Sequence, residues 1–361
     1  MRQIAEQDLD DLALGAAILG TGGGGDPYIG KLLAQETIRE HGPVAVVDVD
    51  EVDDEALVLP VAMMGAPTIM VEKLAAGEEI LAAVDAVENY LGRPMTHTIS
   101  AEVGGINSVF PFVVAARRRL PIVDADMMGR AFPELQMVIP TMYGISATPM
   151  AMADEKGNAV LLTTIDNRWT ERFARSVVVD MGAAAMITLY ALSGAQAKET
   201  TVQGTLALSQ ELGRIVRETR AAHGAPIEAV TDRLGGFRLF QGKVADVERR
   251  TEGGFARLEA RIEGLGAYAE STLVVRSQNE HLVAERDGAL VASTPDLIIV
   301  LESDSGEPIT TESLRYGFRV TVLGAPCDAR WRSEAGLGLV GPRYFGYDVE
   351  YVPVEELAAR G

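Results

Sequence analysis

The segment THTISAEVGGINSVFPFVVAARRRLPIVDAD, residues 96–126, decides the fold. It opens on a β-prone run, THTISA (96–101), and turns on Gly104–Gly105. NSVFPFVVAARRR (107–119) then reads as a helix despite Pro111, and PIVDAD (121–126) as a second strand. A strand, a helix and a strand in succession form a right-handed crossover whose two strands are parallel and adjacent. Strands this apolar belong to a sheet with helices packed on it.

The same alternation extends toward the N-terminus. VAVVDV (44–49) and ALVLPVAMMG (56–65) are apolar strands, and VEKLAAGEEILAAVDAVENYL (71–91) is strongly helical. Leu9, Leu12, Ala13, Ala16 and Leu19 recur at helical spacing, which predicts a helix over 8–19. Asp26 reads as an N-cap with Pro27 at the first helical position, opening a helix through about Arg39. Beyond the segment, residues 167–230 are mostly helical in composition. From about 235, FRLFQGKVADVERR, FARLEARIEG, STLVVRS, EHLVAERDG, LIIVLES and FRVTVLG are short strands split by Gly, Asp and Asn turns. The expected architecture is an α/β N-terminal domain (1–166), with a parallel or mixed sheet and helices on its faces. A C-terminal domain (167–361) follows, helical at first and then β-rich.

Length and composition agree with two domains. The chain has 361 residues, of which 47% are hydrophobic, and no apolar run is long enough to span a bilayer. The opening MRQIAEQDLDDLAL is acidic and lacks a signal-peptide pattern, so a soluble cytoplasmic protein is expected. One cysteine, Cys327, excludes an internal disulfide framework. A net charge of −20 argues against nucleic acid and anionic membrane surfaces as partners.

Open α/β sheets bind ligands at the carboxyl ends of their strands. Glu102, Asp124 and Asp126 all fall on that edge, with Asn107 and the amides of Gly104 and Gly105 at the following helix start. Three carboxylates at one edge need a compensating cation, from Arg130 or a metal, or one of them must keep its proton. A carboxyl with a raised pKa suits general acid–base work, and carboxylates alone suit a hard metal ion. The structural alternative is that Asp124 or Asp126 caps a helix and that Arg130 pairs with Glu134.

Gly22, Gly23, Gly24 and Gly25 form a second candidate, a glycine run joining two helices. It follows a helix rather than a strand and lacks Gly-Lys-Ser/Thr, so neither dinucleotide nor P-loop chemistry fits. Either a ligand or another chain segment approaches bare backbone here, or the run is a tight connection. Cys327, in VLGAPCDARWR (322–332), lies near Arg330 and Arg332, which would lower its pKa and make it a nucleophile or ligand. A lone cysteine is otherwise an inert buried group. His41, His97, His223 and His281 show no clustered ligand spacing; His97, in the strand leading to Glu102, is the best placed. The candidate metal ligands are therefore Asp124, Asp126, Cys327 and His97, for a divalent ion such as zinc.

Several long words occur together in order: GTGGGGDPYIG, AEVGGINS, VDADMMGRAFPELQM, LFQGKVADVERR, SQNEHLVAERDG, PDLIIVLES, GAPCDARWR and GLVGPRYFGYDVEYVPVE. In these the chain resembles the S-methyl thiohydantoin desulfurase family, from about residue 8 to residue 355. The resemblance implies a hydrolase acting on a five-membered cyclic ureide. Water would replace a methylthio group at the carbon between the two ring nitrogens. On this chain it implies Glu102, Asp124, Asp126, Arg130 and Cys327 as catalytic candidates. Gly22–Gly25, Gly104, Gly105, Asn107 and Glu134 would line the ligand. The competing expectation is a non-catalytic or accessory subunit of a hydantoinase/oxoprolinase complex. An ATP-dependent ring-opening enzyme is disfavoured by the missing P-loop. A homo-oligomer is the expected assembly.

Overall fold

The structure is a computed structural model that describes residues 1–65, 76–252 and 254–360. Its first sheet has ten strands: β1 (Arg2–Ile4), β2 (Val44–Val47), β3 (Leu57–Gly65), β4 (His97–Ser100), β5 (Ile122–Asp126), β6 (Met150–Ala153), β7 (Ala159–Leu162), β8 (Ala184–Thr188), β9 (Leu192–Ser193) and β10 (Val202–Gln203). The main order is β1-β2-β5-β4-β3-β8-β6-β7, with β9 pairing β3 and β10 pairing β5. β2, β5, β4 and β3 are mutually parallel, and the flanking pairs are antiparallel, so the sheet is mixed. Every residue of β5 and the first eight of β3 are buried, as expected for strands covered on both faces.

Four of the longer helices among the described residues belong to this first part: α1 (Asp8–Leu19), α2 (Tyr28–His41), α3 (Glu78–Leu91) and α4 (Phe110–Arg118). Residues 71–75 of the expected 71–91 helix lie outside the described residues; the remainder forms α3 from Glu78. Pro111 does not break α4, because it occupies the first turn, where no intrahelical donor is needed. The helix therefore starts at Phe110, after a short 3-10 turn at Gly105–Ser108. Asp26 does accept a hydrogen bond from the Tyr28 amide at 2.9 Å, and Pro27 already has helical backbone angles.

Past residue 166 the chain forms α5 (Asn167–Asp180) and then re-enters the first sheet as β8, between β3 and β6. Two further long helices, α6 (Thr205–Ala221) and α7 (Pro226–Leu234), precede the second sheet. That sheet is antiparallel: β11 (Phe237–Glu252), β12 (Phe255–Gly264), β13 (Thr272–Gln278), β14 (Glu280–Arg286), β15 (Ala289–Ser293), β16 (Leu297–Glu302) and β17 (Arg319–Ala325). Its order is β15-β14-β13-β12-β11-β17-β16. β14 and β15, at one end, touch β16 at the other, so the sheet curls into a half-barrel. The two parts share an apolar core in which Ile18 and Leu19 of α1 and Leu212 and Val216 of α6 meet Leu297 and Ile299 of β16. This packing brings the start of β14 over the carboxyl edge of β3, β4 and β5. No helix among the described residues is long and apolar enough to cross a membrane.

Candidate active site

A cleft opens where that edge faces β14. Its enclosed volume is about 100 Å³, and its walls carry Glu102, Asn107, Glu134, Arg175, Glu280 and Glu312 among apolar methionines. Glu102 follows β4 directly, and the Gly104–Gly105 turn folds the chain back so that Asn107 faces it. Asn107 Oδ1 accepts the Met63 amide at 2.7 Å, which fixes the side-chain orientation. Its Nδ2 then donates to Glu102 Oε1 at 2.6 Å. Burial raises the Glu102 pKa to about 7, opposed by the Asn107 hydrogen bond and assisted by the nearby Asp126 charge. A carboxyl poised there can both take and return a proton near neutrality.

Glu280 comes from the other sheet. It opens β14 immediately after Asn279, whose φ of 58° is left-handed. The residue is only 3% exposed, and its Oε2 has no hydrogen-bond partner among the described residues. Burial, then the Glu102 charge, pushes its pKa well above the ordinary range; Arg130 pulls the other way. Glu312 Oε2 is likewise buried and unpartnered. Burial raises the Glu312 pKa too. Neither carboxylate is evident from the sequence as a site residue. The available signal was a polar Asn-Glu-His run at the head of the strand EHLVA.

The glycine run has an answer in these contacts. Gly24 is in the cleft wall, whereas Gly22, Gly23, Gly25, Gly104 and Gly105 are packed behind it. A Cβ on Gly23 would overlap the Glu280 carboxylate, and one on Gly22 would lie 2.5 Å from His281 Nε2. Gly24 has φ +72°, and a Cβ there would lie 2.6 Å from the Gly104 carbonyl carbon. Its carbonyl accepts the Ile106 amide at 2.9 Å, while Thr21 and Gly22 carbonyls accept the His281 and Thr311 amides, each at 2.8 Å. The loop is bare because both sheets close on it.

The remaining expected site residues are distributed elsewhere. Asp126 is buried, and burial raises its pKa to about 7. Its Oδ2 accepts the Val103 and Met128 amides at 2.9 Å and the Gly129 amide at 2.8 Å, and its Oδ1 accepts the Gly129 amide at 3.1 Å, so it staples the turn after β5. Asp124 lies outside the cleft. It accepts the Leu206 and Ala207 amides at the start of α6 and pairs with Arg2 at 3.0 Å. Arg130 does not pair with Glu134, because its guanidinium is fully committed to carbonyl oxygens and Thr21. Glu134 instead accepts from the Tyr344 hydroxyl at 2.9 Å.

Cys327 is not in the cleft wall, and its pKa is raised to about 12 rather than lowered. Burial is the main cause and Asp296 the next. The nearby arginines are already neutralised, Arg330 by Asp328 at 2.8 Å and Arg332 by Asp296 at 2.8 Å. His97 sits at the opposite end of β4, its Nδ1 2.9 Å from Thr96 Oγ1. Asp124, Asp126, Cys327 and His97 therefore have separate partners and do not fit one metal. No group of three His, Cys, Asp or Glu side chains among the described residues is arranged to hold an ion.

The fold and cleft define a class: a two-domain protein whose mixed α/β sheet and antiparallel half-barrel enclose a carboxylate-lined cleft between them. The chain belongs to the S-Me-THD-like family, whose N-terminal domain model matches residues 7–164 and whose C-terminal domain model matches residues 165–354. It is similar to an X-ray crystal structure of a protein from Chromobacterium violaceum, at 26% identity and a TM-score of 0.82. The match covers 98% of this chain and 100% of that one. No curated protein matches the chain.

Proposed function

We propose that the protein hydrolyses a hydantoin-like five-membered cyclic ureide, replacing a ring-bound methylthio group by water. Family membership supports the substrate class. The observation that carries the chemistry is Glu102, a buried carboxyl with a pKa of about 7, aimed by Asn107 in a small cleft. Glu102 takes a proton from water as the oxygen attacks the carbon between the ring nitrogens. As the C–S bond breaks, the same proton passes to the departing methylthiolate. The second proton of the water moves from the new hydroxyl to the ring nitrogen, so that the products are the ring carbonyl with its adjacent N–H and methanethiol, and Glu102 returns to its starting state. The reading assigns Cys327 no nucleophilic role, since a thiol with a pKa near 12 supplies little thiolate at neutral pH.

The test is methanethiol release from S-methyl thiohydantoin propionate, followed with a thiol reagent. Glu102→Gln should lower kcat by about 10²–10⁴-fold while leaving ring binding in place. Cys327→Ala should retain most of the rate. Undiminished turnover by Glu102→Gln would overturn the assignment. Binding of the ring with release only after a hydantoinase/oxoprolinase partner is added would favour the accessory-subunit role.

A further inference from the structure

Cleft walls normally satisfy their buried carboxylates with donors, because an unpaired buried charge is costly. This cleft does the opposite on one wall. Glu280 and Glu312 reach it from different segments of the second part, and each keeps an oxygen that is buried and has no partner among the described residues. The cations nearby are otherwise engaged. Arg130 donates to the carbonyls of Asp296 at 2.7 Å and His281 at 3.1 Å. Arg249 donates to the Thr311 carbonyl at 2.8 Å. Arg175 binds Glu171 and lies over the Phe255 ring at 4.2 Å. Two vacant acceptors with no protein donor are complementary to a ligand carrying two N–H groups and a positive charge.

We infer that Glu280 and Glu312 form a cation subsite that takes the ligand ring in its protonated, amidinium-type form. The inference rests on the proposed function, in which the reacting carbon stands between two nitrogens. Glu280 enters with its carboxyl protonated and transfers that proton to the unprotonated ring nitrogen: an O–H bond breaks, an N–H bond forms, and carboxylate and cation remain paired. The positive ring is the better electrophile for water activated by Glu102. When the C–S bond breaks, Glu280 takes back the proton of the new hydroxyl group as the carbonyl forms. Glu312 faces the same cation and contributes charge without a proton transfer.

The probes are 2-methylthio-2-imidazoline, a cyclic isothiouronium cation near neutral pH, and hydantoin, a neutral ring of similar size. Wild type should bind the cation at least about tenfold more tightly by calorimetry, the size of effect a close charge pair produces. Glu280→Gln and Glu312→Gln should each erase most of that preference, read as the ratio of the two affinities. Glu312 is the less buried of the two, so its variant keeps the test decisive if the Glu280 variant folds poorly. Equal binding of both rings by wild type, or an undiminished preference in both variants, overturns the subsite. Methanethiol release with no cation preference would sink the subsite and spare the hydrolase reading. A preference dependent on Glu280 and Glu312 with no release from any thiohydantoin would do the reverse.

Discussion

Glu280 is where stability and chemistry pull apart. Its folded-state pKa is raised by burial, and so is that of Glu102, from 4.5 to about 7. A carboxyl with a raised folded pKa favours folding while both states are protonated. That contribution is lost as pH rises through the folded value, because the unfolded chain then gives up the proton more easily. Wild-type stability should therefore fall between about pH 4.5 and pH 7, the window set by Glu102, and Glu280, raised in the same direction, adds to that loss. Glu280→Gln removes one ionisable group without changing its shape. At pH 8 it should be more stable than wild type, because the amide has no charge to bury while the raised carboxyl has lost its contribution to folding. At pH 4 the two should coincide. Thermal melts across that range check both statements, and a Glu280→Gln protein less stable than wild type at pH 8 would show that the carboxylate has a partner. A site that sacrifices stability in this way is a mark of function rather than of packing.

At the scale of elements, the glycine loop and the crossover unit carry the site together. Gly24→Ala places a methyl group against the Gly104 carbonyl at a positive φ. Gly235, which ends α7 with φ +58°, has nothing within 4 Å of the corresponding position. Gly235→Ala should thus cost about 1 kcal/mol, the backbone term alone. Gly24→Ala should cost clearly more and also depress turnover, by shifting the turn that presents Glu102 and Asn107. Equal losses in urea titrations would make the loop an ordinary connection. The crossover from β4 through α4 to β5 was legible in the sequence, because apolar strands and a Gly-Gly turn bracket an obvious helix. Glu102 and Asn107 were legible with it, since they flank that turn. β8 was not: AAMIT is alanine-rich, lies in a stretch of helical composition, and becomes a strand by pairing with β3 and β6. Asp124 looked identical to Asp126 by position, yet Asp124 serves the start of α6. Glu280 and Glu312 escaped notice because only the packing of the second sheet on the first makes them neighbours of Glu102.

For the whole molecule, the decisive residue is Arg130, which ties the two sheets and the glycine loop into one body. Its guanidinium donates to Thr21 Oγ1 at 2.8 Å in the loop. It also donates to the carbonyls of Pro295 at 3.2 Å and Asp296 at 2.7 Å before β16, and to that of His281 in β14. The side chain is fully buried and lies over the Phe132 ring at 4.7 Å. Burial lowers its pKa to about 10, so it stays charged at neutral pH and partly balances Glu280 and Asp296. Arg130→Met keeps much of the volume but leaves the carbonyls without a donor and Glu280 without its nearby cation. The expected loss is about 3 kcal/mol or more, the range for breaking a buried charged network. Arg130→Lys separates the two contributions: it restores the charge but not the fork that reaches several acceptors at once. In urea unfolding followed through Trp331, which packs on Phe132 at 5.1 Å, the lysine variant should remain well below wild type. Its pH dependence should nevertheless return toward that of wild type, because Glu280 regains a positive neighbour. If lysine restores stability fully, charge alone holds the sheets together; if methionine matches wild type, the two sheets are held by their shared apolar core and Arg130 is incidental to it.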